Sequence, residues 1–170
     1  MSPDIRVRRL ADTDRVAEFD CGAAELNDWL RRYARRSAEL DSARTHVALS
    51  SDGAIRGYVA LTAGAVEHRD ATTGMSARMP RYPLPVVLLA RLAVDRSYQR
   101  RGVASILVRL AMEITVSTAE QVGVRGLAVD ADNQDVAGFY ERLGFARARP
   151  GSLKLQVPTR ALREQLSTSE

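Results

Sequence analysis

Gln99-Arg100-Arg101-Gly102-Val103-Ala104 places two arginines and a glycine where an apolar run gives way to residues of helical spacing. That composition suits an anion. The first N–H groups of a helix have no partner within it and lie at the positive end of its dipole, so a helix start can hold a phosphate. Gly102 lets the backbone approach closely, Ala104 keeps the next turn thin, and Arg100 and Arg101 add charge. A pyrophosphate fits such a turn. The same residues also fit an ordinary strand-to-helix connection in which the glycine serves the turn and the arginines are solvated. A second group, Asn133, Phe139, Tyr140, Gly144 and Phe145, falls in a short helical stretch. Asp132 or Asn133 can cap its start, Gly144 can end it, and Phe139, Tyr140 and Leu143 lie on or near one face. Taken alone, Tyr140 is an aromatic packed at a helix end.

The elements that must position these residues follow from periodicity. The run 86–94 is apolar and branched, broken only by Arg91, which predicts a central strand covered on both faces. Ile106, Leu107, Leu110, Ala111 and Ile114 predict a helix over 103–118. A strand over 126–129 leads into a helix over 133–143. Upstream, a strand is expected over 5–7, then an Asp20-Cys21-Gly22 turn and a helix over 23–37. Leu26, Trp29, Leu30 and Tyr33 form its apolar side, and Arg31, Arg32, Arg35 and Arg36 form a basic edge. Strands over 45–50 and 55–65, a loop through residue 85 and a last strand over 153–157 complete an α/β (α+β) layout. The sheet is mixed, with helices on both faces of one domain spanning 1–170, and 167–170 form a frayed tail. The loop 67–85 is long for a connection in a compact domain. It either borders an acceptor site through Arg78 and Arg81 or is a mobile insertion.

Several chemistries lack their residues. A phosphate loop needs a lysine after its second glycine, and the one lysine is Lys154. G-x-G-x-x-G and G-x-S-x-G are missing, so nicotinamide and serine-hydrolase chemistry are not expected. His46, His68 and Cys21 lack zinc spacing, and helix capping accounts for Asp130, Asp132 and Asp135, so no metal is expected. One cysteine excludes an intramolecular disulfide and fits a reducing cytoplasm. No long apolar run and no signal-peptide pattern appear, so a soluble cytoplasmic protein without membrane contact is expected. With 170 residues and 45% hydrophobic content, a sizeable core can be buried. Net charge is +4, which is compatible with RNA; the overall preference for arginine carries little weight, and the clustering at Arg31 to Arg36 and again at Arg78 and Arg81 carries more.

The two groups together resemble the signature regions of the GNAT superfamily of acyl-CoA-dependent N-acyltransferases. Gln99, Gly102 and Ala104 stand as Q-x-x-G-x-A after Val94-Asp95-x-x-Tyr98. Asn133, Ala137, Phe139, Tyr140, Gly144 and Phe145 stand as N-x-x-x-A-x-F-Y-x-x-x-G-F. The resemblance implies that Leu92, Ala93 and Val94 pair with the pantetheine arm of acetyl-CoA. The N–H groups from Arg100 through Arg101, Gly102 and Val103 to Ala104 would hold the pyrophosphate, with Asn133 and Phe139 also on the cofactor side. Tyr140 would protonate the departing thiolate. Ala104 departs from the family's second glycine, a tolerable change. Amine attack on a thioester builds charge on the carbonyl oxygen, which a strand-end N–H can stabilise, and a tyrosine with a pKa of about 10 is protonated at neutral pH. No general base stands out among Glu67, Asp70 and Glu141. That weakly favours an α-amine, with a reference pKa of about 7.7 to 8.0, over a lysine at about 10.4.

The pattern F-D-C-G-x-x-E-L-N-D-W-L from Phe19 to Leu30, with Pro83-Leu84-Pro85 and the 86–95 run, is similar to one branch of that superfamily. The branch is the acetyltransferase toxins of type II toxin–antitoxin systems, and the likeness spans roughly 19–157. It implies acetylation of the α-amine of aminoacyl-tRNA, a block of translation, a ribbon-helix-helix antitoxin and a homodimer. Arg31, Arg35, Arg78, Arg81 and Arg91 would then serve the substrate side. Two other readings stand beside it: a GNAT enzyme acting on a small amine, peptide or protein, and a catalytically silent acyl-CoA-binding module.

Overall fold

The structure, a computed structural model, describes residues 4–168. Seven strands in a mostly antiparallel sheet and flanking helices make an α/β fold. The chain forms two compact units, one reaching to Thr62 and including Ala90–Leu110, the other comprising Ala63–Leu89 and the residues from Ala111 onward. Strands β3 (Ile55–Val66) and β4 (Leu84–Val94) run through both units.

In the first unit the strand order is β1-β2-β3-β4, with β1 (Arg6–Arg9) and β2 (Arg44–Leu49) at its edge. β1 and β2 are antiparallel from Arg6↔Leu49 to Arg9↔His46, and β2 and β3 from Arg44↔Leu61 to Leu49↔Ile55. The helix expected over 23–37 is a succession of α1 (Ala24–Asp28), a π-helical turn (Trp29–Tyr33) and α2 (Ala34–Glu39). Its apolar side enters a core of Phe19, Leu30, Ala34, Val47, Leu49, Ile55, Tyr58 and Ala93. Tyr58 is fully buried, and its hydroxyl donates to the Leu26 carbonyl at 2.6 Å, which removes the cost of burying a phenol. Gly57 points to the opposite face, because side chains alternate along a strand. A Cβ there would lie 3.0 Å from both Leu107 and Val103, so the missing side chain lets α4 (Val103–Ala119) lie close against β3. Helices therefore cover both faces of β3.

In the second unit the order is β3-β4-β5-β7-β6. β5 (Gly126–Asp130) is parallel to β4, with pairs running from Val86↔Gly126 to Leu89↔Val129. β7 (Lys154–Pro158) is antiparallel to β5 and pairs with the two-residue β6 (Ala146–Arg147). A short α3 (Thr73–Ser76) packs against β7, and Met75 joins Leu84, Val86 and Ala128 in a second apolar cluster. Helices α5 (Gln134–Arg142) and α6 (Thr159–Ser167) complete the unit.

Three elements differ from the sequence expectation. α3 and β6 are too short to carry a period. α6 packs on β5 and β7, where the expected layout ended at the last strand. Ser167, expected in a frayed tail, closes α6, and Thr168 donates its N–H to Glu164 at 3.3 Å. Residues 169–170 of that tail lie outside the described residues. The 67–85 segment is also tied down rather than loose. Thr72 donates its N–H to Gln156 Oε1 at 2.8 Å, and Gln156 Nε2 donates to the Asp70 carbonyl at 3.1 Å. Arg125 donates to the carbonyls of Met75, Gly74 and Ala77. Among the described residues no helix is long and apolar enough to cross a membrane.

Candidate active site

β4 is covered on both faces only over its first half. Val86, Val87 and Leu89 are buried, whereas Ala90 is exposed and Leu92 and Val94 are half-buried on the same alternating face. The expected full coverage fails there, leaving an open strand face next to the arginine-rich turn. Asp95 builds that turn. Its carboxylate accepts from Ser97 N at 3.0 Å, Ser97 Oγ at 2.6 Å and Asp20 N at 3.2 Å. Gln99 then donates its side-chain amide to the carbonyls of Val94 and Cys21, each at 3.1 Å. Gln99 therefore ties the strand end to the Asp20-Cys21-Gly22 turn.

Beyond Gln99 the backbone turns left-handed twice, at Arg100 (φ +63°) and Gly102 (φ +83°), before α4 begins at Val103. A Cβ on Gly102 would meet nothing within 4 Å, so its dihedral angle, not lack of room, favours glycine there. Gln99, Arg100, Arg101 and Gly102 are exposed, Ala104 is half-buried and Val103 is buried. The side chain of Arg101 lies 5.0 Å over the Tyr98 ring, which Arg56 also covers at 4.5 Å. Arg100 has no hydrogen-bond or carboxylate partner among the described residues. The helix start is thus exposed between two guanidinium groups, an arrangement that can hold a phosphate.

Tyr140 lies in the last turn of α5, and both ends of that helix are fixed. Asn133 Oδ1 accepts from Val136 N at 2.9 Å, so Asn133 rather than Asp132 is the cap, and its side-chain oxygen acts within the helix. At the other end Phe145 N donates to the Tyr140 carbonyl at 3.1 Å and Gly144 N to the Glu141 carbonyl at 3.0 Å. With Gly144 at φ +102° this is a Schellman motif, and its usual apolar contact is the Tyr140–Phe145 ring pair at 5.2 Å. Phe139 makes a second edge-on contact with Tyr140, also at 5.2 Å. Tyr140 is 3% exposed, and its hydroxyl makes no hydrogen bond among the described residues. Burial pushes its pKa well above the usual tyrosine value, and the Asp132 charge acts in the same direction.

Of the three carboxylates considered as bases, Glu141 pairs with Arg147 at 2.9 Å and Asp70 with Arg149 at 3.6 Å. Glu67 is exposed beside the 3-10 turn His68–Asp70. The arginines expected on the substrate side divide. Arg31 donates to the Phe19 carbonyl at 2.6 Å, and Arg35 to the carbonyls of Ala11 and Asp14 at 3.0 and 2.9 Å. Both hold the chain before α1 against the helix. Arg78 (φ +64°) and Arg81 are exposed without a carboxylate partner among the described residues, and Arg78 lines a groove of about 640 Å3 together with Arg125 and Arg160. Arg91 lies 5.0 Å over Trp29. That Trp29 and Tyr98 carry arginines on their rings is not read from the sequence, which places Trp29 only on the apolar side of a helix and Tyr98 only in the V-D-x-x-Y run. Among the described residues no group of three His, Cys, Asp or Glu could hold a metal.

The open strand end and the left-handed turn belong to the first unit and the pinned tyrosine to the second. Residues 7–145 match the Acetyltransferase (GNAT) family. The chain belongs to this family. It is an acetyltransferase. A tRNA-acetylating toxin of Mycobacterium tuberculosis is 38% identical over 150 residues, which cover 88% of this chain and 89% of that protein. Among solved structures, AtaT complexed with acetyl-methionyl-tRNAfMet matches with a TM-score of 0.86 at 28% identity, covering 96% of this chain and 99% of that one. A tyrosine-to-phenylalanine mutant of AtaT bound to the C-terminus of the antitoxin AtaR and acetyl-CoA matches with a TM-score of 0.80 at 27% identity, over 96% and 99% of the two chains.

Proposed function

We propose that this protein is a toxin that transfers the acetyl group of acetyl-CoA to the α-amine of aminoacyl-tRNA and so blocks translation. The observation that carries this reading is the likeness, over nearly the whole chain, to a tRNA-acetylating toxin. The N–H groups at the start of α4, with Arg100 and Arg101 beside them, take the pyrophosphate of the donor. Leu92, Ala93 and Val94, in the half of β4 that follows the last β5 pair, run along the pantetheine arm. A backbone N–H of this stretch donates to the thioester oxygen as it gains charge.

The neutral amine forms the new C–N bond as the C–S bond breaks. Tyr140 gives its proton to the leaving thiolate and regains one from solvent, which also takes the proton lost by the amine. Glu141 and Asp70 are engaged in ion pairs, and an α-amine needs little help from a base, because its reference pKa of about 7.7 to 8.0 leaves part of it neutral at pH 7. The reading includes action as a single domain in the cytoplasm, a homodimer, and neutralisation by a ribbon-helix-helix antitoxin. The test incubates the protein and its Tyr140→Phe variant with labelled acetyl-CoA and charged tRNA pools. Label is expected in acetyl-aminoacyl-tRNA and lost in the variant. Transfer only to free amines or proteins would overturn the tRNA assignment.

A further inference from the structure

Arg91 is the one charged residue of β4, and it is half-buried. Strand alternation sends it to the face opposite Ala90 and Leu92. There its guanidinium lies 5.0 Å over the ring of Trp29. Trp29 is itself fixed, because it stacks on Tyr58 at 5.9 Å with 15° between the rings, and Tyr58 is anchored through its hydroxyl to Leu26. A preorganised arginine results, and its polar atoms are unused. Arg91 has no hydrogen-bond or carboxylate partner among the described residues, although a guanidinium carries five N–H donors. Arg31, Arg35, Arg44 and Arg56 in the same unit each donate to acceptors of the chain. Keeping a partly desolvated charge without an acceptor costs stability, which burial of the stem against an aromatic ring offsets only in part.

We infer that Arg91, whose guanidinium lies over Trp29, binds a backbone phosphate of the RNA acceptor. The planar fork of N–H groups matches two phosphate oxygens, and the cation–π contact with Trp29 uses none of those donors. Leu92 follows it by one strand step, about 3.3 Å. Arg91 therefore holds that phosphate on the Trp29 face of β4, opposite Leu92 and one strand step from the donor stretch. This inference rests on the tRNA reading above.

The test measures binding of deacylated tRNA across a salt series and kinetics with charged tRNA. Arg91→Ala is expected to lower the slope of log K against log salt by about 0.7, the contribution of one phosphate contact to a single strand. It should also raise KM for charged tRNA about tenfold, as expected for losing a charge-assisted hydrogen bond. Coenzyme A affinity should be unchanged, which reports an intact fold. Arg91→Lys keeps the slope but not the low KM, since a point charge lacks the fork. Trp29→Ala, which removes the ring under the guanidinium, should raise KM while keeping the slope, and Trp29→Phe, which keeps a ring, should leave both unchanged. An unchanged salt slope in Arg91→Ala overturns the inference, as does a slope loss shared by Arg91→Lys. Weakened binding of an acidic protein partner with the slope intact overturns it too. A wild-type protein that binds tRNA with the expected slope yet transfers no acetyl group counts against the proposed activity and leaves this contact standing.

Discussion

The surroundings of Tyr140 keep its hydroxyl protonated, as the proton donor proposed for the thiolate must be. Its ring is enclosed by Phe139 and Phe145, and both burial and the Asp132 charge disfavour the phenolate. A proton donor works only while protonated, so a pKa raised above the ordinary value of about 10 removes any loss of activity below that pH. The acceptor titrates in the opposite sense, because the α-amine attacks only when neutral, and it becomes so above about pH 7.7 to 8.0. The profile of kcat/KM for charged tRNA should therefore rise through pH 7 to 8 and stay level to pH 10. Initial rates corrected for spontaneous ester hydrolysis would show this. A descending limb between pH 8 and 9 would mean that some other group protonates the thiolate.

At the scale of elements, the end of α5 fixes the position of the Tyr140 ring. Gly144 combines φ +102° with a tight surrounding, since a Cβ there would lie 2.7 Å from Gln165 Oε1. Gln165 cannot swing away without cost, because its Nε2 donates to the Leu143 carbonyl at 3.0 Å. Gly144→Ala should destabilise the fold by about 1 to 2 kcal/mol, more than the gain from a less flexible unfolded chain. Acetyl transfer should fall mainly through kcat while KM for acetyl-CoA holds. Urea unfolding and steady-state kinetics on one preparation check both, and a variant with native stability and kcat would remove this helix end from the mechanism. This motif was legible in the sequence as far as the glycine and the aromatic pair, because Schellman chemistry is local. So were the apolar strand before the turn and the helix after it. α6 also left a signal, Leu162 and Leu166 four apart behind Pro158, which the sequence layout passed over. The roles of Arg31 and Arg35 were not legible. Helical spacing places them on one edge, but the carbonyls of Phe19, Ala11 and Asp14 reach that edge only through the tertiary path of the preceding segment. The same holds for Arg91, whose partner Trp29 lies far away in sequence.

For the molecule as a whole, a net charge of +4 says less about RNA than where the cations remain unpaired. Many arginines answer to the chain itself: Arg8 to Asp14, Arg44 to Asp41, Arg147 to Glu141, and Arg125 to three carbonyls. Among the described residues Arg78 and Arg81 do not, and the segment that carries them is held in place by Gln156 and Arg125. A fixed basic segment binds a polyanion without first paying to be ordered. The double variant Arg78→Ala, Arg81→Ala should therefore raise KM for charged tRNA about tenfold, in line with the loss of two phosphate contacts at moderate salt. A control pair of exposed arginines, Arg6→Ala with Arg163→Ala, removes the same charge from the molecule. If long-range attraction alone mattered, both pairs would weaken tRNA equally, and the effect would vanish as salt shortens the Debye length to about 8 Å at 0.15 M. Local contacts predict otherwise. The loop pair should lose affinity at physiological salt while the control stays within about twofold, a margin too small to count as a lost phosphate contact. Equal losses in the two pairs would reduce the loop to part of a general positive field and remove it from the acceptor site.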